Sequence, residues 1–201
     1  MRKLVALILV VIPLSLSSQG LDYDILKAIH DPDPLPSDDF FRFVSNANFY
    51  VYCGTPVTLA IVGLATDNDD MLMDAAFMAA GTAVSYGITL GLKYTVKRER
   101  PFVAYPDDFA DKSGHDYSDS WSFPSGHSTT GFATATSLCL EYPRWYVIAP
   151  SCLYAGTLAY SRMHLGVHYP SDVLTGALIG SGCAVLSHYV NKKLTSNTKR
   201  R

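Results

Sequence analysis

VLTGALIGSGCAVLSHYVN, the segment Val173–Asn191, runs nineteen residues without an Asp, Glu, Lys or Arg. That is far longer than an ordinary strand and long enough for five turns of helix. Its leucines and valines are interrupted by Gly176, Gly180 and Gly182 and by Ala and Ser, small residues at spacings that let one helix approach another closely. Four further stretches have the same character: Phe43–Thr66, Ala75–Leu92, Ser120–Leu140 and Trp145–Ser161, with Gly81, Gly87 and Gly91 in the second. The expected fold is therefore all-α, a bundle of about five core helices. Several stretches are nearer 16 than 20 residues and carry polar groups, so two settings compete: a transmembrane bundle, which is the expectation, and a soluble all-α domain.

Length and composition agree with a single unit of this kind. A chain of 201 residues holds one compact domain, and 48% hydrophobic with 17% charged residues is leaner in charge than the roughly 25% of an average soluble domain. Sixteen basic and 18 acidic residues give a net charge of −2, without the basic footprint that nucleic-acid binding needs. Cys53, Cys139, Cys152 and Cys183 lie singly in apolar stretches; they read as small hydrophobes, with one tertiary disulfide left open and no zinc site signalled.

Residues 1–19 read as a signal peptide or an N-terminal anchor: Arg2 and Lys3, an apolar run from Leu4 to Leu14, then Ser15-Leu16-Ser17 as a small-x-small cleavage site. A core domain over 20–194 and a basic tail over 195–201 follow. A short amphipathic helix is expected near Tyr23–His30, before the proline-broken run Asp31–Pro36 and the capping residues Ser37-Asp38-Asp39. With the mature N-terminus outside, helix parity puts the connections Lys93–Pro124 and Ser161–Asp172 outside and Glu141–Arg144 inside. The tail, with Lys192, Lys193 and Lys199-Arg200-Arg201, then also lies inside and satisfies the positive-inside tendency.

Three clusters stand at the ends of the apolar stretches on that outer side. Lys93, six residues and Arg100-Pro101 form a basic pair that, alone, could be a solvated run. Pro124-Ser125-Gly126-His127 reads as a turn opening a helix, where N–H groups and the positive end of the dipole suit a phosphate; His127 could exchange a proton there or merely cap the helix. Ser161-Arg162, five residues, His168, three residues and Asp172 place the carboxylate on the histidine's face if the segment is helical. The alternative is a structural His–Asp pair.

Taken together, Lys-x6-Arg-Pro, Pro-Ser-Gly-His and Ser-Arg-x5-His-x3-Asp resemble the signature of the type 2 phosphatidic acid phosphatase superfamily, matched without departure over about Tyr50–Val190. The superfamily also takes in bacterial acid phosphatases and the much larger vanadium haloperoxidases. The resemblance implies that His168 is the nucleophile, oriented by Asp172, and that His127 protonates the leaving oxygen and later activates water. It implies that Lys93, Arg100, Arg162, Ser125 and Gly126 hold the phosphoryl oxygens, with no metal or cofactor. The implied protein is a lipid phosphatase of the bacterial inner membrane with its site facing the periplasm. Its partners would be a phosphorylated lipid and the membrane, without nucleic acid. A soluble periplasmic acid phosphatase is the rival, and a scaffold without chemistry is disfavoured by the presence of both histidines. His115, His164 and His188 are not expected to be catalysts. The acidic loop Phe102–Phe123, with Asp107, Asp108, Asp111, Asp116 and Asp119, is either a lid or a solvated connection.

Overall fold

The structure, a computed structural model, describes residues 19–117 and 120–198; the signal-like segment before Gln19, Asp119 and the last three basic residues lie outside the described residues. A short helix α1 (Gln19–Ile29) is followed by α2 (Asp38–Ala65), α3 (Asp69–Val96), a single turn α4 (Pro101–Ala104), α5 (Gly126–Glu141), α6 (Trp145–His164) and α7 (Pro170–Thr198). The five expected apolar stretches are thus five long helices, and among the described residues there is no strand. One stretch is shorter than its apolar run. Ser120–Ser125 is not helical, because Pro124 and the Ser125 cap set the start of α5 at Gly126.

Helix α5 is the axis of the bundle, packed against α2, α3, α6 and α7. Its closest neighbour is α7. A Cβ on Gly176 would lie 2.5 Å from the Ser125 carbonyl oxygen, and one on Gly180 would lie 2.1 Å from that of Thr129, so only glycine permits this approach. Gly87, Gly91 and Gly182, by contrast, meet nothing within 4 Å and do not serve helix contact.

The distribution of polarity identifies the solvent. Phe43, Tyr50, Leu64, Leu153, Leu178 and Leu186 are 63% to 75% exposed, while Ser45, Asn48, Ser85, Thr89, Thr129 and Thr134 are buried. Small polar residues bridge the helices inside: Thr89 Oγ1 and Thr129 Oγ1 lie 2.9 Å apart, and Asn48 Nδ2 donates to Thr130 Oγ1 at 2.9 Å. Apolar outside with hydrogen bonds within is the arrangement that hydrocarbon favours and water does not. Helices α2, α3 and α7 are long and apolar enough to cross a membrane. At 1.5 Å per residue the 28 residues of α2 reach roughly 42 Å, against about 30 Å of hydrocarbon. The expectation of five crossing helices is narrower here: α5 has only 16 residues and is enclosed by the others.

The helices alternate in direction, so the start of α2, the end of α3, the start of α5, the end of α6 and the start of α7 meet at one end. Helix α1 joins them there through contacts with α6 and α7.

Candidate functional site

That end holds a cavity of about 910 Å³, and Lys93, Arg100, Gly126, His127, Arg162 and His168 all line it. Six of the eight residues singled out in the sequence therefore meet in one space. Ser125 and Asp172 do not line it and are fully buried.

Each position follows from a helix end. Lys93 sits in the last turn of α3 and donates to the carbonyls of Trp121 and Ser122. Arg100 precedes Pro101, whose fixed ring starts α4. Its guanidinium donates to Val167 O at 2.8 Å and to Ser120 Oγ at 2.8 Å, and Nη1 lies 3.3 Å from His168 Nε2. Arg162 closes α6 and is completely buried, with one nitrogen on Ser45 Oγ. Among the described residues its Nε and Nη2 meet no hydrogen-bond acceptor of good geometry, although the Tyr117 side chain stands close. Leaving two guanidinium donors without an acceptor costs free energy that a bound anion would return.

At the start of α5, Ser125 Oγ accepts the Ser128 N–H and Ser125 N–H donates to Asp172 O at 3.0 Å. The cap is thus the serine. His127 is free to present its ring to the cavity, and the N–H groups of Gly126 and His127, orphans of any helix start, lie at the cavity wall. A Cβ at Gly126 would meet Tyr86 Cε2 at 3.5 Å and Thr89 Cγ2 at 4.0 Å, both ordinary contacts, so the protein itself does not demand glycine there.

His168 lies outside the helix, in the connection before Pro170, so the shared helical face expected for His168 and Asp172 is not how they meet. Asp172 is in the first turn of α7 and accepts the Tyr169 N–H at 2.9 Å, an N-terminal cap that turns its carboxylate back toward the histidine. His168 Nδ1 is 3.5 Å from Asp172 Oδ2 and 3.3 Å from Ser122 Oγ, and Ser122 in turn donates to Asp172 Oδ2. Ser122 is a site residue the sequence reading missed. With Nδ1 turned to this acceptor pair, Nε2 is the nitrogen left for the cavity. Burial, then Arg100, Lys93 and Arg162, push the His168 imidazole well below its usual 6.5, so it is neutral and carries a lone pair.

The loop after α4 covers the site. His115, Tyr117 and Trp121 line the cavity, and the Tyr117 ring lies 4.4 Å from Arg100 Cζ and 5.4 Å from Arg162 Cζ. It is pinned from outside: Lys112 pairs with Asp38 at 2.9 Å, Asp108 with Lys27 at 2.8 Å, and His115 Nε2 with Asn46 Oδ1 at 2.9 Å. His164 pairs with Asp38 at 2.8 Å and His188 with Glu141 at 2.9 Å, both away from the cavity. The four cysteines are free, with Cys139 and Cys152 sulfurs 4.0 Å apart.

Residues 74–196 match the family model of the PAP2 superfamily. The chain is 41% identical over 75 residues to a lipid A 4'-phosphatase of Bacteroides thetaiotaomicron, covering 37% of this chain and 33% of the relative. It is 36% identical over 96 residues to an undecaprenyl-diphosphatase of Sulfolobus acidocaldarius, covering 47% and 44%. The matches thus span less than half the length of these curated relatives. Among solved structures, LpxE of Aquifex aeolicus superposes with a TM-score of 0.69 at 26% identity over 83% of this chain and 94% of that one. A transmembrane PAP2-type phosphatidylglycerolphosphate phosphatase of Bacillus subtilis gives 0.71 at 24% identity over 96% and 98%, a likeness of fold. With the family model covering more than half its length, the chain belongs to the PAP2 superfamily.

Proposed function

We propose that the chain is a phosphatase for a lipid phosphomonoester or diphosphate, of the lipid A, undecaprenyl diphosphate or phosphatidyl phosphate class. One observation carries the reading: the buried Arg162 keeps two donors unpartnered beside a neutral histidine whose other nitrogen is already held. A phosphoryl group supplies the acceptors that Arg162 lacks and the electrophile that His168 suits.

In this reading His168 Nε2 attacks phosphorus while Asp172 and Ser122 hold the Nδ1–H and stabilise the imidazolium that forms. His127 protonates the departing oxygen. It then takes a proton from water as that water attacks the phosphohistidine, which releases phosphate and restores His168. Lys93, Arg100, Arg162 and the first N–H groups of α5 gather the equatorial oxygens, whose charge grows in the transition state. Ser125 contributes through the cap that aims those N–H groups. These cations supply the electrostatic work without a metal ion, so turnover survives a strong chelator and orthovanadate inhibits competitively; loss with EDTA and rescue by a divalent ion would contradict this.

A lipid substrate is supported by a second, apolar cavity of about 620 Å³ between α2 and α3. It is walled by Pro56, Ala60, Ala76 and Ala79 and shares Tyr52, Tyr86 and Thr130 with the first. A head group in one and hydrocarbon in the other would be a continuous fit. Phosphate release from a panel of lipid and water-soluble esters, with and without detergent, tests this; equal rates on soluble esters would favour the acid-phosphatase alternative. We also place the site on the periplasmic face of a bacterial inner membrane. A periplasm-dependent reporter inserted near Ser113 should then be active, and one fused after Arg201 silent.

A further inference from the structure

Between α3 and α4 the chain is extended, with Lys97 in the left-handed region at φ 52° as the turn out of α3. In an extended run alternate residues share a side. Lys97 and Glu99 are exposed, while Arg98 and Arg100 both point inward. Arg100 reaches His168; Arg98 reaches the other half of the pair. Its Nη1 donates to Asp172 Oδ1 at 2.9 Å and to Ser171 Oγ at 2.7 Å, and its guanidinium lies 3.9 Å over the Tyr169 ring. Its Nη2 donates to Asp22 Oδ2 at 2.8 Å. Asp22, buried on α1, also accepts the Ser171 N–H at 3.0 Å and the Ser171 hydroxyl. Both of its oxygens are thus committed to Arg98 and the first turn of α7.

We propose that Asp22 and Arg98 are positioning residues for the His168–Asp172 pair, which makes helix α1 a working part of the site. The proposal rests on the reading of His168 as nucleophile. Asp172 has its Oδ2 taken by Ser122, Tyr169 N–H and His168, and Arg98 holds its Oδ1 edge. A lone guanidinium there would draw electron density from the carboxylate and weaken its hold on the imidazole. Asp22 offsets that charge. The order Asp22, Arg98, Asp172 alternates in sign up to the neutral His168, so the geometry is held without lowering the basicity of the nucleophile.

The alternation gives opposite signs for two substitutions, which a merely structural role would not. The groups facing His168 are Asp172 and Ser122 on one side and Arg100, Lys93, Arg162 and His127 on the other, and none of these is altered. In the full-length chain in detergent micelles, labelled with 15N-histidine, the His168 signal is identified by its loss in His168→Gln and followed with pH. Asp22→Asn, which keeps the shape and removes the charge, should lower the His168 titration by about half a unit, and Arg98→Met should raise it by a similar amount. The double variant should return toward the parent. Asp24→Asn, an exposed change on the same helix, should do nothing. In turnover, Asp22→Asn and Arg98→Lys should each lower kcat by about tenfold or more with KM within about threefold. Shifts in the same direction, or none beyond that of Asp24→Asn, overturn the proposal. If the parent itself releases no phosphate, the functional reading fails, and the signs of the titration still decide the positioning claim.

Discussion

The two ends of the bundle gather similar charged groups and treat them in opposite ways. At the end away from the cavity, Asp74, Glu141, His188, Asn191 and Lys192 close on one another: Asn191 donates to Asp74 at 2.7 Å, Lys192 meets Glu141 at 2.7 Å, and His188 meets Glu141 at 2.9 Å. At the other end Lys93, Arg100 and Arg162 crowd around a cavity, and two donors of Arg162 remain without an acceptor. A buried charge that is paired holds helices together, whereas one left open is unfavourable until something binds. Among the described residues Asn48, Thr82 and Tyr154 also carry an unpartnered buried atom, so what sets the site apart is that the open donors of Arg162 are cationic and stand with Lys93 and Arg100 around a cavity.

The sharpest way to break this contrast is to substitute across it. His168→Ala should lower phosphate release by about a thousandfold or more, because the proposed covalent path loses the nucleophile assigned to it. The thermal midpoint should stay near that of the parent, and a labelled phosphoenzyme should be trapped only in the parent. Retention of a few per cent of activity would remove His168 from the role.

Arg162→Met should come next, with a loss of about 10²- to 10³-fold in turnover and stability unchanged or raised, since a buried cation with open donors is replaced by an unbranched apolar side chain. The opposite end should answer in reverse. Asp74→Ala strands Asn191 and weakens the hold on Lys192, so it should cost about 1 to 3 kcal/mol of stability while kcat changes less than about twofold. Melting curves and initial rates on the same samples decide it. If both substitutions lost activity and stability together, the two ends would not be separable.

The sequence carried the site because every motif marks a helix end. Pro101, Pro124 and Pro170 each stand at or just before a helical start, and the alternation of the bundle then brings those ends together. What it concealed was the way residues reach each other across elements. His168 and Asp172 looked like neighbours on one helix, but Pro170 excludes His168 from it, and their contact comes from a capping carboxylate. Ser122 had only its place two residues before Pro124 to mark it. Arg98 could have been found from the alternation of Lys97, Arg98, Glu99 and Arg100 in an extended run, whereas Asp22 carries no local signal, being one of two acids on a short helix. The lipid setting was ambiguous from hydropathy alone, since threonines and serines that dilute it turn inward and leave the exposed face apolar.

The smallest effect should appear in stability against pH, and it probes the cationic end. His168 is held well below 6.5 by burial and by Arg100, Lys93 and Arg162, while in the unfolded chain it takes a proton near 6.5. Below 6.5 the unfolded state therefore binds more protons than the folded one, so this group's contribution is present above 6.5 and is lost as the pH falls toward its folded value. One proton is worth at most about 1.4 kcal/mol per pH unit, which for a chain of this size is a few degrees in the thermal midpoint. Between about pH 6.5 and 5.5 the parent should lose more of its midpoint than His168→Gln does. Saturating orthovanadate should flatten the slope, because an anion between the three cations and His168 raises the pKa that they depress. Coincident slopes for the parent and His168→Gln would mean that the cationic end does not hold its histidine neutral, and the contrast between the two ends would lose its electrostatic basis.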